Sequence, residues 1–462
     1  MSPVDAAISK VTKAISSFHP ASMPLMTRGH YRRELLAWSL LPVALGAVEG
    51  GVTGVIAKNA FEGTVSPTTL NLTVAVLQGA PALANVVSFL WAAVSHGRHK
   101  IRFLASLQLL MTLLVAMIAF APKNATGLGI LVIGTVGARM AWAGVVTLRS
   151  TVWRANYPRH ARATMAGKLA AVQAVIMALI AYAIGSAMNY NDEAFRYMYP
   201  IAAAIGLIGV SVYSGMRMRG HKALLNAEKK SQQNSTTLFN PFVWRQILLD
   251  DTRFRRYMTC MFVFGTANLM VGAPLIIMLK DQFHLSQSIS VAIMTTIPLL
   301  LMPLSIPIWS RLLDRVNILQ FRAIHSWAFV ISTAIVFGAA ITMQPWLLFI
   351  AAAAKGIAFG GGVLAWNLGH HDFATIDKAS QYMGIHVTLT GIRGLLAPII
   401  GVSLYQILEL VHPGYGGIVF GLCLVLCIIG AIWFVRMRRD LDGPGCNSEF
   451  EAGPPIQPPA AN

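Results

Sequence analysis

Twelve stretches of predominantly apolar residues, most close to 20 long, run through this chain, at 35–57, 69–94, 103–121, 127–148, 169–188, 197–216, 257–279, 287–310, 323–342, 346–368, 383–408 and 416–435. A bilayer core about 30 Å thick takes roughly 20 residues of helix to cross. Within it a backbone must satisfy its own hydrogen bonds, which a helix does inside one segment. The predicted fold is therefore all-α and integral to a membrane, with twelve transmembrane helices. Charged residues make up 12% of the chain and the mean hydropathy is +0.61, against roughly 25% charged residues in a soluble domain. A soluble enzyme is excluded. The net charge of +18 does not indicate nucleic acid either, because nucleic-acid-binding chains set dense charge on a polar background.

One long polar segment, 217–256, divides the spans six and six. The predicted organisation is a cytoplasmic leader at 1–34, a first six-helix bundle at 35–216, a cytoplasmic linker at 217–256, a second bundle at 257–438 and a tail at 439–462. In the leader, Ile8, Val11, Ile15 and Phe18 fall at helical spacing beside Lys10 and Lys13, a pattern that fits a short amphipathic helix on the membrane surface. The tail is rich in Gly and Pro and is expected to be disordered. Orientation follows from the tendency of Lys and Arg to stay on the cytoplasmic side. With the N-terminus inside, 29 of the 36 Lys and Arg are cytoplasmic, and Lys58, Lys123, Arg196 and Lys280 alone are outside. Both termini are thus expected in the cytoplasm, with the chain crossing the cytoplasmic (inner) membrane. The basic middle segment can attract anionic lipid headgroups.

The halves resemble one another. Gly97-Arg98-His99-Lys100 follows span 2, and Asp314-Arg315-Val316-Asn317 follows span 8, with 220 residues from Gly97 to Asn317. Gly167 after span 4 and Gly384 after span 10 are 217 apart. Matching offsets imply a duplicated six-helix unit, as in many secondary transporters. Over about 32–440 the chain resembles the major facilitator superfamily. That family's signature between spans 2 and 3 runs Gly, three variable residues, Asp, Arg/Lys, a variable residue, Gly, Arg, Lys/Arg. Here Gly97, Arg98 and Lys100 keep its end, while Leu90 and Val94 stand where the family has Gly and Asp. The second copy keeps Asp314-Arg315 but has Ser310 and Asn317 for its glycines. The resemblance implies two pseudo-symmetric bundles and a charge relay in this loop that gates the inward-closed state. It also implies that the relay has lost its acid on the N-terminal side.

Ionisable side chains deep in a bilayer are costly, about 2.5–3.5 kcal/mol on insertion scales. Four lie within the predicted spans: Glu49, Arg139, Lys355 and Arg393. The resemblance places their spans around a central cavity. Glu49, the one acid among them, is the candidate proton-coupling site, because a carboxyl in low-dielectric surroundings can exchange a proton near neutral pH. Arg139 is a permanent cation able to hold a carboxylate or phosphate in a two-pronged grip. Lys355 and Arg393 add positive charge from the other half, and Trp142, Trp366 and Asn367 can orient a solute. An interhelical salt bridge, such as Glu49–Arg139, is the competing reading of the same residues. Gly394 and Pro398 loosen span 11 and give it a place to bend, a gating role. Span 5 lacks the Gly-Pro-x-x-Gly-Gly pattern of the family's drug-exporting antiporters. His370-His371-Asp372 sits at a helix end with neighbours pointing apart, so no metal is expected.

These features predict a secondary active transporter, working as a monomer by alternating access on a small solute, anionic or zwitterionic, and driven by protons. No nucleotide motif, cofactor site or nucleic-acid partner is expected. The alternative is a transport-inactive relative serving as a receptor or assembly factor.

Overall fold

This computed structural model describes residues 16–230, 241–369, 372–374 and 379–441, together with Asp5, Ser9 and Thr12. The tail from 442, His370, His371 and most of the amphipathic leader pattern, including Ile8, Val11 and Ile15, lie outside the described residues.

Among the described residues, twelve helices are long and apolar enough to cross a membrane: Leu25–Ala60, Pro67–Val87, Lys100–Phe120, Ala125–Asn156, Arg159–Tyr190, Phe195–Ser214, Thr252–Asp281, Gln287–Leu313, Ile318–Thr342, Trp346–Trp366, Gln381–Val411 and Tyr415–Asp440. We number them spans 1 to 12. Their starts are written locally. The Asn124, Asp251 and Asn317 side chains each accept a hydrogen bond from a backbone N–H three residues on, at 3.0, 2.7 and 2.9 Å. Ser66 does the same for Thr69 ahead of Pro67, the first residue of its helix. Such caps satisfy N–H groups that a helix end leaves without partners.

Span 1 begins earlier than the apolar run. Its helix starts at Arg28, and Glu34, expected in the leader, is wholly buried within it. Hydropathy places the boundary late because the first two turns carry Arg28, Arg32, Arg33 and Glu34.

Packing repeats between the halves. Span 1 packs on spans 5 and 6, span 3 on spans 4 and 6, and span 2 on span 4. Likewise span 7 packs on spans 11 and 12, span 9 on spans 10 and 12, and span 8 on span 10. The duplication inferred from the loops is therefore a duplication of the bundle itself. The bundles meet along span 2 against span 11 and span 5 against span 8, again a symmetric pair.

Polar contacts between the bundles cluster at the face away from the linker. There Asn189 donates to Ser288 at 2.6 Å, Gln287 donates to Asp192 at 2.9 Å, Lys58 pairs with Asp281 at 2.8 Å and Lys280 with Glu62 at 3.5 Å. The first helix of each bundle is interrupted midway. Span 1 breaks at Val48-Glu49, between helices Arg28–Ala47 and Gly50–Ala60, and span 7 breaks at Val271, between Thr252–Met270 and Gly272–Asp281.

Candidate functional site

The interruption in span 1 exists because Gly50 and Gly51 follow Glu49 where neighbouring helices press in. A Cβ on Gly50 would lie 2.8 Å from the Gln78 carbonyl oxygen, and one on Gly51 2.2 Å from Thr295 Oγ1. Only glycines permit that approach. Glu49 itself has extended backbone and stands as the residue before the second helix. The Ala47 carbonyl released by the break is taken up by the Tyr199 hydroxyl at 2.8 Å. Unwound backbone inside a membrane is tolerated where protein groups re-satisfy it in this way. The carboxylate of Glu49 is thereby fixed in the middle of the bundle, and Arg139 Nη1 of span 4 donates to its Oε2 at 2.9 Å.

Arg139 lines a cavity of about 560 Å³ between the bundles, shared with Trp142, Arg149, Arg322, Trp366 and Arg393. Arg149 and Trp366 lie near the linker-side ends of spans 4 and 10, and Arg322 near the linker-side start of span 9. The cavity therefore extends toward the linker face, while the opposite face is bridged. Volume and mixed lining suit a small organic solute.

The structure brings Glu49, Arg139, Trp142 and Arg393 to this one place. Lys355 is placed apart from them. It lies in span 10 beside a separate small pocket, lined mainly by apolar side chains such as Leu275, Phe329 and Leu348, with Nζ 5.6 Å from the Phe359 ring centre. It shares a face of span 10 with Phe359 and Trp366 of the cavity wall but sits one turn further from the linker than Phe359, a difference in depth that span membership alone does not reveal. The side chain of Asn367 lies outside the described residues.

Three ionisable residues escape a hydropathy reading. Arg149 falls just after its apolar run and Arg322 just before its own, and both count there as loop charges, yet spans 4 and 9 extend through them into the cavity wall. Glu34 sits behind that wall. The Tyr157 hydroxyl donates to its Oε2 at 3.2 Å, and it lies close enough to Arg149 for their charges to interact. The Arg149 guanidinium lies over Trp38 and Trp153, 4.8 and 4.7 Å from the ring centres. The one readable signal was the helical continuation, since Arg149 is only five residues beyond Gly144 with no Gly or Pro between.

Gly97 has φ of +69°, a left-handed turn that favours glycine, which accounts for the retained second glycine of the loop motif. The carboxylate missing at Val94 is supplied from elsewhere. The linker helix His221–Lys230 docks on this loop. Glu228 Oε2 accepts from the Gly97 N–H and from Lys100 Nζ, both at 2.8 Å, and His96 Nε2 lies 2.8 Å from the Glu228 carbonyl oxygen. His99 stacks on His221 with ring centres 3.9 Å apart. Burial first, then the charges of His221 and Arg102, hold His99 below the usual histidine range, which favours the neutral ring in that stack. Arg98 is exposed, over Phe103. In the second copy Asp314 and Arg315 are exposed and form no ion pair with a described residue. That fits a linker face on which the bundles stand apart. Asp372 instead accepts from the Ile318 N–H at 2.9 Å and so anchors the start of span 9.

The Lys100–Glu228 pair is largely buried, so Glu228→Gln is expected to loosen the linker helix. Tryptic cleavage after Lys229 and Lys230 should accelerate about fivefold, because local opening governs such cleavage. An unchanged cleavage rate would mean that the helix is held by other contacts.

Span 11 is one unbroken helix past Gly394 and Pro398. Both residues press on span 2. A Cβ at Gly79 would lie 2.1 Å from the Gly394 carbonyl oxygen and 3.2 Å from Pro398 Cγ. In this conformation they permit close contact with span 2, where the sequence suggested a bend.

Two six-helix bundles around a charged, one-sided cavity define a membrane carrier. The chain belongs to the Major Facilitator Superfamily, whose model matches residues 34–398 and, in a second match, 257–458. It is a membrane transporter and not an enzyme. No curated protein sequence gives a significant match. Solved structures of similar fold include a variant of the nucleoside transporter NupG, with TM-score 0.66, 15% identity, and 88% of this chain and 99% of that chain covered. A D-xylose-proton symporter gives TM-score 0.66 at 12% identity, covering 88% and 97%. A peptide transporter of the POT type in complex with sulfate gives 0.65 at 14%, covering 91% and 98%.

Proposed function

We propose that this transporter moves a small anionic solute across the cytoplasmic membrane by alternating access, with protons coupled through Glu49. The observation that carries the reading is the Glu49–Arg139 pair at the break in span 1, at the wall of the cavity. With Glu49 ionised, Arg139 is engaged by a carboxylate of the protein. A proton on Glu49 removes that charge and releases Arg139 toward the cavity, where a solute anion takes its place. Proton and anion thus occupy the site together and leave it together, which is symport. The interhelical pair fixes packing in one state and is exchanged for solute in the other.

Orientation rests on the Lys and Arg count, which puts the linker, both termini and the open side of the cavity in the cytoplasm. The conformation is then inward-facing. Arg322 and Arg393 extend positive charge across the cavity and favour an anion over a neutral solute.

Counterflow of radiolabelled solute in proteoliposomes tests the carrier reading, since a receptor or assembly factor binds without exchange. Within it, Arg139→Gln is expected to raise the KM for an anionic solute about tenfold, the scale of one lost charge-assisted hydrogen bond. An unchanged KM would remove Arg139 from the solute site.

A further inference from the structure

The cavity wall holds four guanidiniums, and their surroundings differ. Arg139 is paired with Glu49, and Arg149 lies near Glu34 and between two tryptophan rings. Arg322 and Arg393 have no carboxylate in ion-pair contact among the described residues. They are nevertheless 3% and 4% exposed. In each the Nε is buried without a hydrogen-bond partner. They line the same cavity, one from the second turn of span 9 and the other from the middle of span 11. Two like charges in a low-dielectric site are costly unless an anion joins them.

The two groups are held differently. Arg393 is oriented by the protein: Nη1 donates to the Met261 carbonyl oxygen, Nη2 donates to Thr390 Oγ1 at 2.8 Å, and the guanidinium lies 5.8 Å from the Phe262 ring centre. Arg322 makes no side-chain hydrogen bond to a described residue of the kind that orients Arg393. A fixed fork beside a second, adjustable one is suited to a group with several acceptor oxygens and close to two negative charges.

We propose that Arg322 and Arg393 form a subsite for a doubly charged phosphoryl group, so that the solute is a small organic phosphomonoester. This rests on the carrier reading and names the class of solute for that site. A phosphoryl dianion offers three oxygens to two planar forks and neutralises both guanidiniums at once. A single carboxylate neutralises one. The organic part then lies toward Trp142, Trp366 and Phe264, which share the same cavity.

The test is binding to the purified full-length protein, with phenyl phosphate and inorganic phosphate as probes and phenyl sulfate, benzoate, phthalate and phenol as comparisons. Phenyl phosphate is expected to bind about tenfold tighter than phenyl sulfate or benzoate, for the second charge it places between the forks. Arg322→Gln and Arg393→Gln should each remove that tenfold preference. Arg322→Lys and Arg393→Lys should restore part of it, because charge returns without the fork. In the absence of ligand Arg322→Gln should melt no lower than the wild-type protein, since it relieves a like-charge contact and breaks no side-chain hydrogen bond to a described residue. A purely structural arginine would instead lower the melting temperature.

Equal affinity for phenyl phosphate and benzoate, tighter binding of phthalate, or glutamine variants with undiminished phosphate binding would each overturn the proposal. Arginine-dependent phosphate binding without counterflow would keep the subsite and overturn the carrier reading. Counterflow of uncharged solutes with no phosphate binding would do the reverse.

Discussion

Glu49→Gln is expected to lower pH-gradient-driven accumulation of solute in proteoliposomes by about tenfold or more, while counterflow stays within about twofold of wild type. Glutamine matches glutamate in shape but cannot take up charge, so it holds the site permanently in its protonated form. Arg139 is then always free for the anion, exchange continues, and the proton has no seat from which to drive net movement. Breaking a fully buried ion pair costs about 3–5 kcal/mol. Here the Arg139 and Glu49 side chains keep 13% and 23% exposure, so roughly 1–2 kcal/mol is the reasonable scale, about tenfold in an equilibrium. Arg139, which lines the cavity, is the carboxylate's link to it. Glu49→Asp shortens the reach to Arg139 and should retain partial coupling. Accumulation at the wild-type rate by Glu49→Gln would move the coupling site elsewhere, and buried Glu34 beside Arg149 would be the next residue to replace.

The second large effect is expected at the crossing of spans 2 and 11. Gly79→Val or Gly394→Val should reduce transport about tenfold or more and lower the melting temperature by several degrees, the scale of overpacking a tight contact by about 1–3 kcal/mol. The clashes are with backbone: a Cβ at Gly394 would sit 2.6 Å from Leu83 N and 2.8 Å from the Ala82 carbonyl carbon, and one at Gly79 2.1 Å from the Gly394 oxygen. A flexible side chain could turn aside, whereas a helix backbone must move as a unit. Spans 2 and 11 form one of the two symmetric seams between the bundles, so forcing them apart disturbs the surface on which the bundles rock. Transport by Gly394→Val at the wild-type rate would show that this contact opens freely and is no pivot.

Much of this architecture is legible in the sequence because a bilayer imposes so strong a rule. A run of apolar residues long enough to span can do little else, and twelve of them with a polar divider specify two bundles. The four intramembrane charges stand out for the same reason. What hydropathy misses lies where a helix outlasts the apolar run. Arg149 follows its apolar stretch and Arg322 precedes its own, so both look like loop residues, yet unbroken helices carry them into the cavity wall. Glu34 is missed at the start of span 1 by the same reasoning. Lys355 lies beside a different pocket from Arg139 and Arg393, because span membership does not say how deep along a helix a side chain sits. The acid replacing Val94 is invisible for another reason: Glu228 is 134 residues away, in a segment whose composition says only that it is polar. The interruption at Glu49 was written in Gly50-Gly51, but its meaning depends on Gln78 and Thr295 of other helices.

The most direct measurement is of paired distances across the two faces, by electron spin resonance on spin-labelled protein in lipid. Labels at Tyr190 and Leu410, both largely exposed, report the face bridged here, and labels at exposed His160 and Arg436 report the linker face. Two populations are predicted whose distances change in opposite directions, with their ratio shifting as pH is lowered in the wild-type protein and remaining fixed in Glu49→Gln. A single unchanging distance at both faces, or an equal pH response in Glu49→Gln, would contradict a proton-coupled carrier working through the Glu49–Arg139 pair.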